Sequence, residues 1–76
     1  MGAWVFNVHG HPFQQVGVPD LLVGYKGRLY AMEVKSPGGV LSPVQVKVLE
    51  AIQKSGCVAG RVESIEEAIA LLGLEE

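Results

Sequence analysis

The 76 residues contain a single cysteine, Cys57, so no internal disulfide is possible. No group of cysteine and histidine has the spacing of a structural zinc site. A domain this short buries a modest share of its surface and is marginal alone. With disulfide and zinc excluded, oligomerisation is the staple that remains. Cys57 lies in the apolar stretch Cys57-Val58-Ala59, which predicts a buried structural thiol and not a nucleophile, and its reduced state suits a cytoplasm. No run approaches the ~20 apolar residues of a membrane span. The N-terminus lacks the basic region of a signal peptide, and there are no repeats or low-complexity tracts. Positive charge is also short: 6 Lys and Arg stand against 8 Asp and Glu, a net −2. That argues against a nucleic-acid partner as far as bulk charge goes.

The distribution of charge softens this. Residues 1–62 carry Lys26, Arg28, Lys35, Lys47, Lys54 and Arg61 against Asp20, Glu33 and Glu50, while residues 63–76 carry Glu63, Glu66, Glu67, Glu75 and Glu76 and no base. The first part is net positive, and the acidic end is expected to face away from any polyanion.

What the chain does have is apolar content, 49% of its residues, arranged in short runs. A first strand is expected over 3–8, then a loop from His9 to Val18. Leu21 to Tyr25 and Arg28 to Val34 read as strands joined by a tight turn at Lys26-Gly27. Pro37 and two glycines turn the chain between Lys35 and Leu41. A helix is predicted over 43–55, with Val44, Val48, Ala51 and Ile52 near one face and Val46 and Leu49 widening it. Ser42-Pro43-Val44-Gln45 is its capping box and Gly56 its C-cap. Cys57 to Val62 is a short strand. Ser64-Ile65-Glu66-Glu67 is a second capping box, opening a helix that ends at Gly73. One domain over 1–76 follows, of the α/β (α+β) class, in the order β-β-β-α-β-α. The strand-helix-strand crossover implies a parallel pair, hence a mixed four-stranded sheet.

The chemistry sits in Pro19-Asp20 and, thirteen positions after the aspartate, Glu33-Val34-Lys35. If the turn is two residues, Tyr25 pairs with Arg28, Leu22 faces Ala31 and Asp20 faces Glu33. Directly opposed residues have Cβ atoms about 4.5–5.5 Å apart. Two like charges so placed repel, and a bound cation removes the conflict. Period two puts Lys35 on the face of Glu33 and turns Val34 away. A longer turn using Gly27 would shift the pairing by one and leave the carboxylates diagonal. Each residue also has a bland reading: an aspartate after proline is commonly a turn residue, and Glu-x-Lys on a strand is commonly a solvated face. Together they make a minimal kit for phosphodiester hydrolysis: two carboxylates for a hard cation, a cation to activate water and a fixed positive charge where negative charge develops. His9-x-His11 could be a metal pair, but no third ligand lies nearby, and backbone or phosphate contacts or simple solvation are the alternatives.

The order Pro19-Asp20, hairpin, Glu33-Val34-Lys35, Pro37-Gly38-Gly39, Leu41-Ser42-Pro43 and then Gln45 resembles the virus-type replication-repair nuclease (VRR-NUC) family, a branch of the PD-(D/E)xK nuclease superfamily. The resemblance runs from about Trp4 to Gly73. It implies a restriction-endonuclease-like fold, with Asp20, Glu33 and the Val34 carbonyl as ligands of Mg²⁺ or Mn²⁺, Lys35 as the catalytic lysine and Gln45 as the family's glutamine at the start of the following helix. Gln45 also has its capping reading, and the two are compatible. One departure stands out. Superfamily members usually begin with a helix, often bearing a glutamate that supports the metal site. Here Met1-Gly2-Ala3 leads straight into the first strand, and no acidic residue precedes Asp20. Either the chain is truncated or the cover comes from elsewhere, and one sheet face is expected to be short of cover.

The resemblance thus implies a metal-dependent endodeoxyribonuclease acting on branched or four-way DNA, a homodimer or higher oligomer without membrane association, in the cytoplasm of a bacterial or phage-infected cell. A non-catalytic nucleic-acid-binding or assembly module on a nuclease fold, or a nuclease active only with a partner chain, are the alternatives.

Overall fold

A computed structural model describes residues 2–8 and 16–73. His9 and His11 lie outside the described residues. Among the described residues six elements follow in the order expected: β1 Trp4–Asn7, β2 Leu21–Tyr25, β3 Arg28–Val34, α1 Pro43–Lys54, β4 Val58–Val62 and α2 Ile65–Leu71. They form a small α+β domain whose single mixed sheet has the order β1-β2-β3-β4. The pairs β1–β2 and β2–β3 are antiparallel and β3–β4 is parallel, as the crossover through α1 requires. Among the described residues no helix is long and apolar enough to cross a membrane.

The hairpin register is that of the two-residue turn. Tyr25 pairs with Arg28, Leu22 with Ala31 and Leu21 with Met32. Both turn residues have positive φ, 50° at Lys26 and 76° at Gly27. Such a turn matches the right-handed twist of the strands it joins. Glycine takes the second position without a Cβ penalty; Lys26 pays a steric cost, and its ammonium lies 5.4 Å from the centre of the Tyr25 ring, a favourable cation–π contact.

The two sheet faces carry different cores. Ala31 of β3 and Ala59 of β4 are small, and α1 seats Leu49 on them, with Leu22, Leu41 and Ile52 around the contact. Val23, Tyr25, Tyr30, Met32 and Val62 point to the other face, where Ala68, Leu71 and Leu72 of the α2 segment pack. The expected α1 stripe is thereby corrected: Leu49 is its buried centre, whereas Ala51 and Val44 are exposed. Two alanines opposite the helix admit one large side chain, and that choice sets the helix rotation. Cys57, expected to be buried, is only half-buried, one residue ahead of β4.

Both helix starts are capped, in different ways. At α1, Ser42 Oγ accepts from the Gln45 amide at 3.1 Å and Gln45 Oε1 accepts from the Ser42 amide at 2.9 Å, a full reciprocal box with Pro43 at the first helical position. At α2, Ser64 Oγ accepts from the Glu67 amide, but Glu67 Oε1 accepts from Glu63, one residue upstream of the cap. The second box is therefore displaced rather than reciprocal.

The shortage of cover falls on an edge and not on one face. All four residues of β1 are exposed. Trp4 and Phe6, which pair with Gly24 and Leu22, project on the α1 face and stack on each other with centroids 5.9 Å apart. Val5, 57% exposed, projects on the α2 face.

Candidate active site

Two ladders extend one residue past their strands and fix the backbone of the site. The Val8 amide donates to the Asp20 carbonyl at 2.9 Å, and the Lys35 amide donates to the Val62 carbonyl at 3.0 Å. The pairing of Leu21 with Met32 puts Asp20 one step further on, opposite Glu33. Alternation carries Glu33 and Lys35 onto the face of Ala31, the α1 face, and turns Val34 to the other. There Val34 lines an open apolar cavity of about 290 Å³ with Leu21, Val62, Ile65 and Ala68.

Asp20 has a backbone duty that the sequence reading did not anticipate. Its Oδ2 accepts from the Val34 amide at 2.8 Å. The carboxylate stands in for a carbonyl where β2–β3 pairing stops, which satisfies an amide that would otherwise lack a partner. The same bond fixes the side chain against the Glu33-Val34 segment. Proline before it is in keeping with the extended entry into β2, and Pro19 is among the most fully buried side chains.

Glu33 is the anomaly of the molecule. It is 3% exposed, the only buried charged residue among those described, and its Oε1 has no hydrogen-bond partner. A buried carboxylate oxygen without a donor costs about 1–3 kcal/mol or more. Burial, then a hydrogen bond with Asp20 and the charge of Asp20, push its carboxyl from 4.5 up to about 7, while Lys35 pulls the other way.

Mg²⁺ or Mn²⁺ fits the residues present. Asp20, Glu33 and the Val34 carbonyl offer hard oxygen donors of the kind these ions take, and the orphaned Oε1 supplies a buried acceptor in need of a positive partner. Among the described residues no cluster of three or more His, Cys, Asp and Glu could hold a metal, so an ion here would have two carboxylates and a carbonyl as its protein donors. Mg²⁺ commonly keeps several waters and uses only one or two carboxylates.

Gln45 begins α1 and its Oε1 is engaged with Ser42, so the structure gives it the capping role while its amide nitrogen stays available. The sequence reading gave no role to Arg61. It lies beside Glu33 in the parallel register, and its guanidinium bonds the Gly39 and Ser36 carbonyls and pairs with Glu63. The signal was there in its setting, a single cation inside the apolar strand Val58–Val62. The acidic α2 lies against the sheet face opposite the site, which keeps Glu66 and Glu67 away from it. Comparison of the chain with protein-family models, with curated proteins and with solved structures found no match.

Proposed function

We propose that this protein is a metal-dependent endodeoxyribonuclease of the VRR-NUC kind, with a restriction-endonuclease-like core, that hydrolyses phosphodiester bonds in branched DNA. The observation that carries the reading is the buried Glu33 carboxyl, hydrogen-bonded to Asp20 through one oxygen and left without a partner at Oε1. A fold gains nothing in stability from two opposed acids, whereas a hard cation between them meets the need of both. Asp20, Glu33 and the Val34 carbonyl would hold Mg²⁺ or Mn²⁺; when bound, the ion supplies an activated water and neutralises charge on the phosphate. Lys35, on the same face and near enough to Glu33 to act on its charge, presents its ammonium to the scissile phosphate as negative charge builds there. Asp20, locked by the Val34 amide, keeps the site in register before substrate arrives. Gln45, in the first turn of α1, would be the family's helix-start glutamine.

The exposed Trp4, Val5 and Phe6 support a homodimer, since an apolar edge left open on both faces is a surface that a symmetric partner buries twice. Two sites related by a twofold would suit two strands of a four-way junction. The net negative charge favours the second reading, a non-catalytic binding module on the same fold. Incubation of the purified chain with linear and four-way DNA in Mg²⁺ or Mn²⁺ separates the two. Nicking of the junction that EDTA abolishes supports the nuclease, and binding without cleavage in either metal overturns it.

A further inference from the structure

We infer that Arg61 is a positioning residue for Lys35, acting through the Ser36–Gly39 turn; the inference rests on the nuclease reading for its activity arm only. The chain leaves β3 at Val34, is held once more by the bond from the Lys35 amide to the Val62 carbonyl, and then turns at once. The Gly39 amide donates to the Ser36 carbonyl at 2.8 Å, with Pro37 second and Gly38 third at φ 82°. That is the pattern of a type II turn. Arg61 fastens both ends of it. Nε donates to the Gly39 carbonyl at 3.1 Å, one terminal nitrogen donates to that same carbonyl and to Ser36 at 3.4 Å, and the other pairs with the Glu63 carboxylate.

The turn in its place is a wall for Lys35. A methyl group built on Gly39 would stand 3.3 Å from Lys35 Cβ, 3.5 Å from Lys35 Cδ and 3.0 Å from the Ser36 carbonyl oxygen. The aliphatic stem of Lys35 therefore runs along the bare Gly39 backbone, whose carbonyl Arg61 holds. A flexible four-carbon stem loses its directing power unless something fixes its path, and here the fixed path is a turn pinned by a planar fork of donors. The same commitments explain why Arg61, next to Glu33 in the sheet, does not neutralise it: the guanidinium is spent on two carbonyls and Glu63, and Glu33 Oε1 stays without a partner. Arg61 thus supports the site twice, by placing Lys35 and by leaving the carboxylate pair open to a cation.

The test uses the whole chain and the variants Arg61→Ala, Arg61→Lys, Glu63→Gln, Gly39→Ala and Lys35→Ala. On four-way DNA in Mg²⁺, Arg61→Ala is expected to lower kcat by roughly 10–10²-fold, the scale for a slightly misplaced group, with KM within about twofold. Arg61→Lys recovers part of the loss and Glu63→Gln, which keeps the loop bonds, stays within about threefold of wild type. The decisive measurement is the double variant. If Arg61 works through Lys35, adding Arg61→Ala to Lys35→Ala costs nothing more; slowdowns that multiply overturn the proposal. Should Arg61→Ala fail to fold by circular dichroism, Gly39→Ala probes the same contact with the arginine intact, and wild-type kcat in that variant overturns the proposal. A wild-type chain that cleaves no DNA sinks the nuclease reading alone. NMR relaxation at Lys35 Cε then decides this one: lower order in Arg61→Ala than in Glu63→Gln supports positioning, and equal order refutes it.

Discussion

Replacing Glu33 by glutamine should make the metal-free protein more stable at pH 8 and no more stable at pH 4.5. The amide keeps the shape of the carboxyl and can donate to Asp20, so it removes one charge and little else. In the folded chain the Glu33 carboxyl stands at about 7 against an ordinary 4.5. Between those values the folded protein holds a proton that the unfolded chain has released. The contribution of this group to stability is therefore complete below about 4.5 and is lost as pH rises through about 7. At about 1.4 kcal/mol for each tenfold change, the full span from 4.5 to about 7 is at most about 3.5 kcal/mol. Relaxation around an ionised Glu33 and the pull of Lys35 reduce it, so about 1–3 kcal/mol is the working range. For a domain this size each kcal/mol moves the midpoint by about 4–8 °C.

Thermal melts in EDTA at fixed protein concentration, from pH 4.5 to 8.5, read the difference between the two proteins and cancel every other carboxylate. The variant should gain on wild type from about pH 4.5 to about 7 and level off above that, and the two curves should meet at the acid end. Divalent ion adds the mirror experiment. Mg²⁺ or Mn²⁺ at about a hundredfold above its Kd stabilises a binding protein by about 2.7 kcal/mol, enough to offset the buried charge. That gain should be present in wild type at pH 8, weaker at pH 5, where the proton competes, and absent in the variant. Parallel pH profiles for the two proteins, or a wild type more stable than the variant in EDTA at pH 8, would refute the placement of Glu33 as a buried acid with an unpartnered oxygen.

Two further outcomes are expected. Lys35→Ala should lower the cleavage rate by about 10²–10³-fold, the scale for losing one transition-state donor, while circular dichroism and DNA binding by gel shift stay near wild type because the half-buried side chain adds little to the core; near-normal turnover would remove Lys35 from the chemistry. Light scattering at micromolar concentration should give a mass of twice the 8.1 kDa chain or more, and a monomer would leave the exposed Trp4, Val5 and Phe6 edge unexplained.

The sheet was legible because its signals are local. Lys26-Gly27 between two apolar runs names a two-residue turn, the turn sets the register, and the register carries Asp20 to Glu33 by counting alone. What escaped was whatever depends on a partner distant in the chain. The rotation of α1 was misjudged because Val44, Val48, Ala51 and Ile52 form a plausible stripe in isolation; only the two small residues Ala31 and Ala59, brought side by side by parallel pairing, select Leu49 as the seat. The displaced cap at α2 is a local exception: the Glu67 carboxylate takes the Glu63 amide, four residues back, beside an extended Ser64 at φ −155°.

Arg61 shows why such contacts leave so faint a trace. Its turn partners lie 22 and 25 positions away and are backbone carbonyls, which every residue possesses. No side-chain type at Ser36 or Gly39 announces them. The trace lies on Arg61 itself. A cation inside Val58–Val62, a strand with buried residues at Ala59 and Val62, must have acceptors close by, since an unpaired buried charge is too costly to keep. In a parallel pair with β3, alternation sends it to the face of Glu33, and the obvious acceptor is that carboxylate. The molecule declines the pairing. Had Arg61 taken it, Glu33 Oε1 would have a donor and the site would lose the orphaned oxygen that favours a bound cation. The unpaired oxygen and the clamped turn are thus one fact seen from two strands, and it is on this that a nuclease reading of so small a domain stands.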